Sequence, residues 1–244
     1  MNLRTRLAEI IRIYSPPQAA KFFLKGYSQL AMGHALRNLA AKDLDVTWLI
    51  DVGAHNGEWT RLASRIFENS RILLIEPLSE KRKTLNRIAG KSQRFVYRDD
   101  LISHTEGMKV PFFEYGTGSS IYREHGRPVD SKEIITSTLD AVAKKIGIGE
   151  ADSILLKLDV QGAELDVLQG ATDVLPRVKC IVLEMSLVPY NDGAPTFDDL
   201  FDALRRLNFA LFDIAGEHRD PRNGRLLQVD MVFVPSTSKL IAWP

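Results

Sequence analysis

Short apolar runs recur along this chain, each followed by a stretch with helical spacing, and this alternation narrows the available folds more than any other feature. "VTWLIDVG" precedes "GEWTRLASRIFE", "RILLIEP" precedes "SEKRKTLNRIAG", and "SILLKLD" precedes "AELDVLQGA". Consecutive apolar residues, rather than alternating ones, predict strands buried on both faces. "RFVYRD" and "VKCIVLEM" supply further strands, "STLDAVAKKIG" a helix starting near Ser137, and "TFDDLFDALRRLN" a helix capped by Thr196. Ser79 is the expected N-cap of the helix that ends at Gly90. Strands alternating with helices imply parallel βαβ units. The end of the chain departs from this rhythm. "FALFDIA" and "LLQVDMVFV" flank "GEHRDPRNGR", where Asn223-Gly224 signals a hairpin, so the sheet should finish antiparallel. Between the α/β units, "MKVPFFEYGTGSSIYRE" predicts a strand pair around a glycine turn.

Residues 1–45 read as a helical extension and residues 46–244 as one α/β domain. In the extension, Leu3, Leu7, Ile10, Ile11 and Tyr14 recur at helical spacing, Pro16-Pro17 breaks the pattern, and a second helical stretch runs from Gln18 to Ala41. Such an extension could cap the domain, cover a substrate or form a homodimer contact. The net charge of +1 provides no field that would favour nucleic acid, a membrane surface or an acidic substrate. No apolar stretch approaches the roughly 18 residues of a membrane span, and no leader-type apolar region follows the basic N-terminus. The single cysteine, Cys180 in "VKCIVLEM", reads as a small buried hydrophobe and fits a reducing compartment. These features together predict a cytoplasmic protein.

The strongest local signal is "LIDVGAHNGEW". A strand reaches Asp51, and the turn Gly53, Ala54, His55, Asn56, Gly57 leads into a helix. Glycine permits positive φ and close backbone approach, so a ligand can lie against the carboxyl end of the strand. The spacing D-x-G-x-x-x-G is neither the G-x-G-x-x-G of pyrophosphate binders nor a P-loop. The second strand ends in Glu76-Pro77, and a carboxylate there can accept both ribose hydroxyls of a nucleoside. That fits NAD as well as S-adenosylmethionine; the glycine spacing and the closing hairpin favour the latter. In "YRDDLIS", Asp99 or Asp100 could meet an adenine amino group.

"IDVGAHNG", "IEP", "GSSIY", "TLD", "LLKLDVQGAELDVLQGA" and "VLE" follow one another in an order and spacing that resembles the FkbM family of S-adenosylmethionine-dependent methyltransferases, from about Val46 to Val234. Family members commonly carry Glu where this chain has Gln161, and Asn where it has His55. The resemblance implies a class I methyltransferase (Rossmann-like) fold: a seven-stranded, mostly parallel sheet of order 3-2-1-4-5-7-6 with a C-terminal antiparallel hairpin. It also implies methyl transfer, most often to a hydroxyl oxygen of a sugar or natural product. In the family's pattern Asp51, Gly53 and Gly57 line the methionine part of the cofactor and Glu76 holds the ribose.

In that topology Asp159, at the end of the fourth strand, lies beside Asp51 and faces the sulfonium, whose positive charge a carboxylate suits. Gly162 lets the chain turn close to the ligand. Glu164 sits in the first helical turn, either toward the acceptor or as a complement to the helix dipole. Lys157, among apolar neighbours, needs an acidic partner or a route to solvent. A hydroxyl acceptor needs a base, and Asp159, Glu184 and His218 are the candidates, His218 from the last hairpin loop. Ser119, Ser120, Tyr122 and Tyr190 could shape a polyol pocket. Asp159 and Glu184 could together hold Mg²⁺, a reading less favoured than a metal-free one, and no zinc motif is present. The alternatives are an NAD- or nucleotide-sugar-binding oxidoreductase, and a non-catalytic protein that keeps the cofactor pocket.

Overall fold

The computed structural model describes residues 30–42, 44–128 and 130–241. Its strands are β1 (Trp48–Val52), β2 (Arg71–Ile75), β3 (Phe95–Arg98), β4 (Leu101–Ile102), β5 (Lys109–Phe112), β6 (Lys132–Ser137), β7 (Ile154–Leu158), β8 (Val178–Ser186), β9 (Phe209–Arg219) and β10 (Leu226–Pro235). The helices are α1 (residues 30–41), α2 (Glu58–Ala63), α3 (Arg82–Ala89), α4 (Leu139–Ile146), α5 (Glu164–Gln169) and α6 (Phe197–Arg206). Of the expected N-terminal helices, the first and the opening part of the second lie outside the described residues.

Seven strands form one sheet in the order β3-β2-β1-β7-β8-β10-β9. Counted within the sheet this is 3-2-1-4-5-7-6. The first five run parallel, and β10 is antiparallel to both β8 and β9. Successive side chains of a strand point to opposite faces, and here both faces are covered. On β1, Trp48, Ile50 and Val52 join Leu73, Leu156 and Ile181 under Val142 of α4, Val167 of α5 and Leu204 of α6. Leu49 joins Ile72, Leu74, Leu155 and Val182 under Leu36 and Leu39 of α1, Ala63 of α2 and Leu85 of α3. This is why the strands read as unbroken apolar runs. Burial of each such leucine contributes about 1.5–3 kcal/mol. Leu36 and Leu39 are fully buried, so the described part of the N-terminal extension shares the core of the sheet.

The Thr196 cap on α6 forms as a capping box, with Thr196 accepting from Asp199 N and the Asp199 side chain accepting from Thr196 N. Thr196→Ala should therefore lower the unfolding free energy by about 1 kcal/mol in a urea titration, with the m-value unchanged. Ser79 does not act as expected. It opens a 3₁₀ turn without a side-chain cap, and α3 begins only at Arg82, while Gly90 does end that helix.

The expected strand pair within 108–124 is also corrected. β5 pairs not with the residues after the glycine turn but with β6, in a small sheet of order β4-β6-β5. A single bridge between Phe113 and Ser120 is what remains of the local pairing. The closing hairpin forms as expected, with Asp220 N donating to Arg225 O and Gly224 at φ 75°. Among the described residues no helix is long and apolar enough to cross a membrane.

Candidate active site

The carboxyl ends of β1, β2, β7 and β8 open onto a cleft of about 1220 Å³, larger than most small-molecule pockets. One wall is the turn after β1. Gly53 N and Ala54 N both donate to Ile75 O, which ties the turn to the end of β2. Gly53, His55 and Gly57 take φ of 79°, 45° and 69°. Gly53 lines the cleft, whereas Gly57, expected to line it too, does not and serves the packing of the turn. A Cβ on Gly53 would stand 1.9 Å from the carbonyl oxygen of Asp159, and one on Gly57 would stand 2.6 Å from Ile88 Cδ1. The left-handed turn at His55 aims its N–H at Glu76 Oε2, 2.8 Å away.

Glu76 is 4% exposed and lines the cleft. Its Oε1 accepts from Leu78 N at 3.0 Å. Burial pushes this carboxyl above the usual range, opposed by the two backbone donors. A carboxylate has about four acceptor positions, so each oxygen keeps capacity for a ligand hydroxyl. Pro77, Leu78, Asp100, Leu101 and Ile102 continue the wall. Of the two candidate adenine partners only Asp100 reaches the cleft. Asp99 turns outward and pairs with Arg82. The large apolar-floored cleft, the glycine turn and the buried carboxylate with spare acceptor capacity fit a nucleoside with an amino-acid tail.

Asp51 departs from expectation. It is fully buried and does not line the cleft; strand parity turns it to the α2 face, where Thr60 Oγ1 donates to Oδ2. Its Oδ1 lies 3.1 Å from Lys157 Nζ, an ion pair without good hydrogen-bond alignment. Lys157 Nζ also donates to Gly53 O at 2.9 Å and lies 3.3 Å from Asp159 Oδ2. Burial alone would depress the lysine; Asp159 and Asp51 outweigh it and hold the ammonium above its ordinary range. So the lone lysine of "SILLKLD" is paired with acids of the site, and it fastens the glycine turn to β7.

The deeper end of the cleft is acidic. Asp159, Glu184 and Asp230 line it, from the end of β7, from β8 and from β10. Burial, then Asp159 and Asp230, push Glu184 well above the usual carboxylate range. Burial, then Asp159, raise Asp230 to about 6. Gln161, which sequence reasoning left out of the site, donates from Nε2 to Asp159 Oδ1 at 2.8 Å and to Glu184 Oε1 at 2.9 Å. Gln228 Nε2 donates to the same Glu184 oxygen at 2.7 Å. The one signal of Gln161 in the sequence is its departure from the Glu common in the FkbM family, and the fold shows what the amide bridges. Among the described residues no group of three or more His, Cys, Asp and Glu is arranged around a metal position.

Several expected substrate contacts fall elsewhere. Glu164 does not line the cleft; its buried carboxylate accepts from Val160 N and Gly162 N, closing its own loop, and burial raises it to about 7. Tyr122 points away, its hydroxyl donating to Asp166 Oδ2 at 2.9 Å, which ties the inserted segment to α5. Ser119 and Ser120 do line the cleft, although both hydroxyls also serve their own turn. Tyr190 lines it as well. His218 reaches the cleft from β9 rather than from the hairpin loop, and is exposed.

Comparison with known families decides what this cleft belongs to. Residues 51–211, which run from the end of β1 into the start of β9 and carry much of the cleft lining, match the profile of the methyltransferase FkbM domain. The chain belongs to the FkbM methyltransferase family. Membership implies S-adenosylmethionine as methyl donor. Among solved structures, an FkbM methyltransferase from Methylobacillus flagellatus KT is 18% identical, with a TM-score of 0.47 over 76% of this chain and 43% of that one. This chain thus spans less than half the length of the Methylobacillus protein. A precorrin-6y C5,15-methyltransferase from Geobacter metallireducens GS-15 is 14% identical, with a TM-score of 0.41 over 81% of this chain and 86% of that one. An O-methyltransferase family protein from Burkholderia thailandensis is 12% identical, with a TM-score of 0.44 over 91% of this chain and 61% of that one. No curated protein matches. The glycine turn, Glu76, Asp159 and Glu184 lie inside the matched span, whereas Asp230 on β10 lies beyond it.

Proposed function

We propose that this FkbM domain methylates a hydroxyl oxygen of a sugar, glycan or natural-product acceptor. The observation that carries the reading is the acidic end of the cleft, which sets Glu184 within one cavity with the glycine turn and Glu76. The turn residues Gly53, Ala54, His55 and Asn56 would hold the methionine part of S-adenosylmethionine, Glu76 its ribose and Asp100 its adenine end. The bound cofactor supplies an electrophilic methyl group on a sulfonium. Asp159 offers negative charge to that cation. Glu184 Oε2 makes no hydrogen bond among the described residues and is open to take the acceptor's proton as the methyl arrives. A carboxylate whose pKa lies above the usual range is the stronger base for this step. Ser119, Ser120, Tyr190 and His218 supply polar groups around the acceptor. Alignment of the hydroxyl provides most of the rate.

Calorimetry with S-adenosylmethionine and with NAD tests the reading. Binding of the former and not of the latter is expected, with Glu76→Ala weakening it about tenfold to a hundredfold and, because His55 N and Leu78 N lose their acceptor, lowering stability by about 1–3 kcal/mol. NAD binding in its place would transfer the site to the oxidoreductase reading. With a panel of sugars and polyols, Glu184→Gln should lose turnover far more than cofactor affinity; a variant as active as the parent would remove Glu184 from the mechanism.

A further inference from the structure

We infer that Gln161 is a positioning residue whose side-chain amide stands between Asp159 and Glu184, holds the two carboxylates in register and keeps Glu184 available as a base. The inference rests on the methyl-transfer reading of the cleft. It is carried by the geometry of the loop after β7. Nε2 meets Asp159 Oδ1 at 2.8 Å and Glu184 Oε1 at 2.9 Å. Both partners are carboxylate oxygens, so the nitrogen rather than the oxygen of the amide must face them. An amide nitrogen has two protons, one for each acid. Without them the two carboxylates would face each other across a partly buried gap, where like charges force one to take up a proton.

The backbone is shaped to make this bridge. Gln161 has φ 55°, a left-handed conformation that costs a non-glycine residue on the order of 1 kcal/mol. Asn191 Nδ2 donates to Gln161 O and clamps the residue there. Gly162 follows at φ 98°, and a Cβ on it would stand 3.0 Å from Ala194 Cβ, so the turn is packed against the loop that carries Asn191. Strain retained at a cleft-lining residue is what a functional constraint leaves behind. On the far side of Glu184, Gln228 gives Oε1 its second donor. Both amides thus load one oxygen, and Oε2 is left for the acceptor.

The other groups facing Glu184 are charged or titratable from every side. Asp159 and Lys157 stand on β7 and its end, Glu164 on α5, and Asp230 on β10. Tyr190 comes from the loop after β8, and His218 lines the cleft from β9. Asp159, Asp230 and Glu164 all favour the protonated form of Glu184, and the amide of Gln161 opposes them.

The test uses the full chain labelled with ¹³C at the glutamate carboxyls. Side-chain titrations are followed by NMR, and Glu184→Gln assigns the Glu184 signal. Gln161→Gly removes the amide at a position whose φ glycine adopts freely, so the fold should hold. Gln161→Glu keeps the shape but replaces the donor with a third acid. The Glu184 midpoint should rise by about one to two pH units in Gln161→Gly and by more in Gln161→Glu. The Glu76 signal, with its own backbone donors, should stay in place in the same spectra. A Glu184 midpoint that is unmoved or lower in both variants overturns the inference, and so does an equal shift of Glu76. Calorimetry of the parent chain with S-adenosylmethionine separates the two claims, because absence of binding there defeats the functional reading whatever Glu184 does.

Discussion

Gly53→Ala should abolish detectable binding of S-adenosylmethionine, a loss of more than about a hundredfold, and lower stability by about 2–4 kcal/mol. Two effects combine. The native φ of 79° is one that a Cβ disfavours. The new methyl would also stand 1.9 Å from the Asp159 carbonyl oxygen and 2.8 Å from its carbon. Neither atom can swing aside as a side chain would. Asp159 N is bonded to Val52 O and Val160 N to Glu164 Oε1, which pins the peptides on both sides of Asp159. The glycine turn must therefore move, carrying His55 N away from Glu76 and the wall of the cleft with it. Gly224→Ala is the matched control. It has φ 75° with nothing within 4 Å of the added Cβ, so it should show only the conformational cost of about 1 kcal/mol. Urea titration and calorimetry read both quantities. A Gly53→Ala chain that binds as the parent does would show that the turn plays no part in the site.

Lys157→Met should cost about 3–5 kcal/mol of stability, because it leaves the fully buried Asp51 carboxylate without its cation. Most of this belongs to the Asp51 pair, since the Asp159 side chain is 36% exposed and better screened. Methionine fills much the same volume, so the loss is electrostatic rather than a cavity effect. Lys157→Met combined with Asp51→Asn should recover a good part of the deficit, and no recovery would locate the cost elsewhere. The pH dependence has a definite sign. The two acids hold the ammonium above its ordinary range, so its contribution is complete below the unfolded lysine value of about 10.4 and is lost as pH rises through the folded one. The lysine's own contribution should accordingly hold through neutral pH and be lost only in strong alkali. Binding should weaken too, since Lys157 Nζ holds the Gly53 carbonyl.

The main sheet was legible because its strands are buried on both faces. Runs such as "ILLKL" and "VKCIVLE" have no polar face to present to water, and a helix must cover each side. Glu76 was legible for a related reason: an acid directly after an apolar strand stands at the sheet edge where ligands bind. The small sheet was not, since Pro111 and its neighbours find their partners in β6 across a long intervening segment, and no local pattern announces a distant pairing. Asp51 shows a subtler limit. Its place on β1 could be read, but its side chain follows the parity of Leu49 and faces α2 rather than the cleft. Tyr122 and Glu164 offered suitable chemistry near the right place, and each turned out to be committed to another contact, Asp166 for one and the backbone of residues 160–162 for the other.

The amino-acid sequence was enough to give the alternation of strands and helices in the main sheet, the glycine turn after the first strand and the acid after the second, while the strand order came with the resemblance to the FkbM family. These follow from local properties: apolar continuity, the φ freedom of glycine and the spacing of motifs along one stretch of backbone. Three-dimensional packing settles which acids share a cavity, that Lys157 is the cation binding Asp51 and Asp159 to the glycine turn, and that the neutral Gln161 lies between Asp159 and Glu184. Those contacts join residues far apart in the chain, and electrostatic coupling depends on distances through space that no local stretch of sequence specifies.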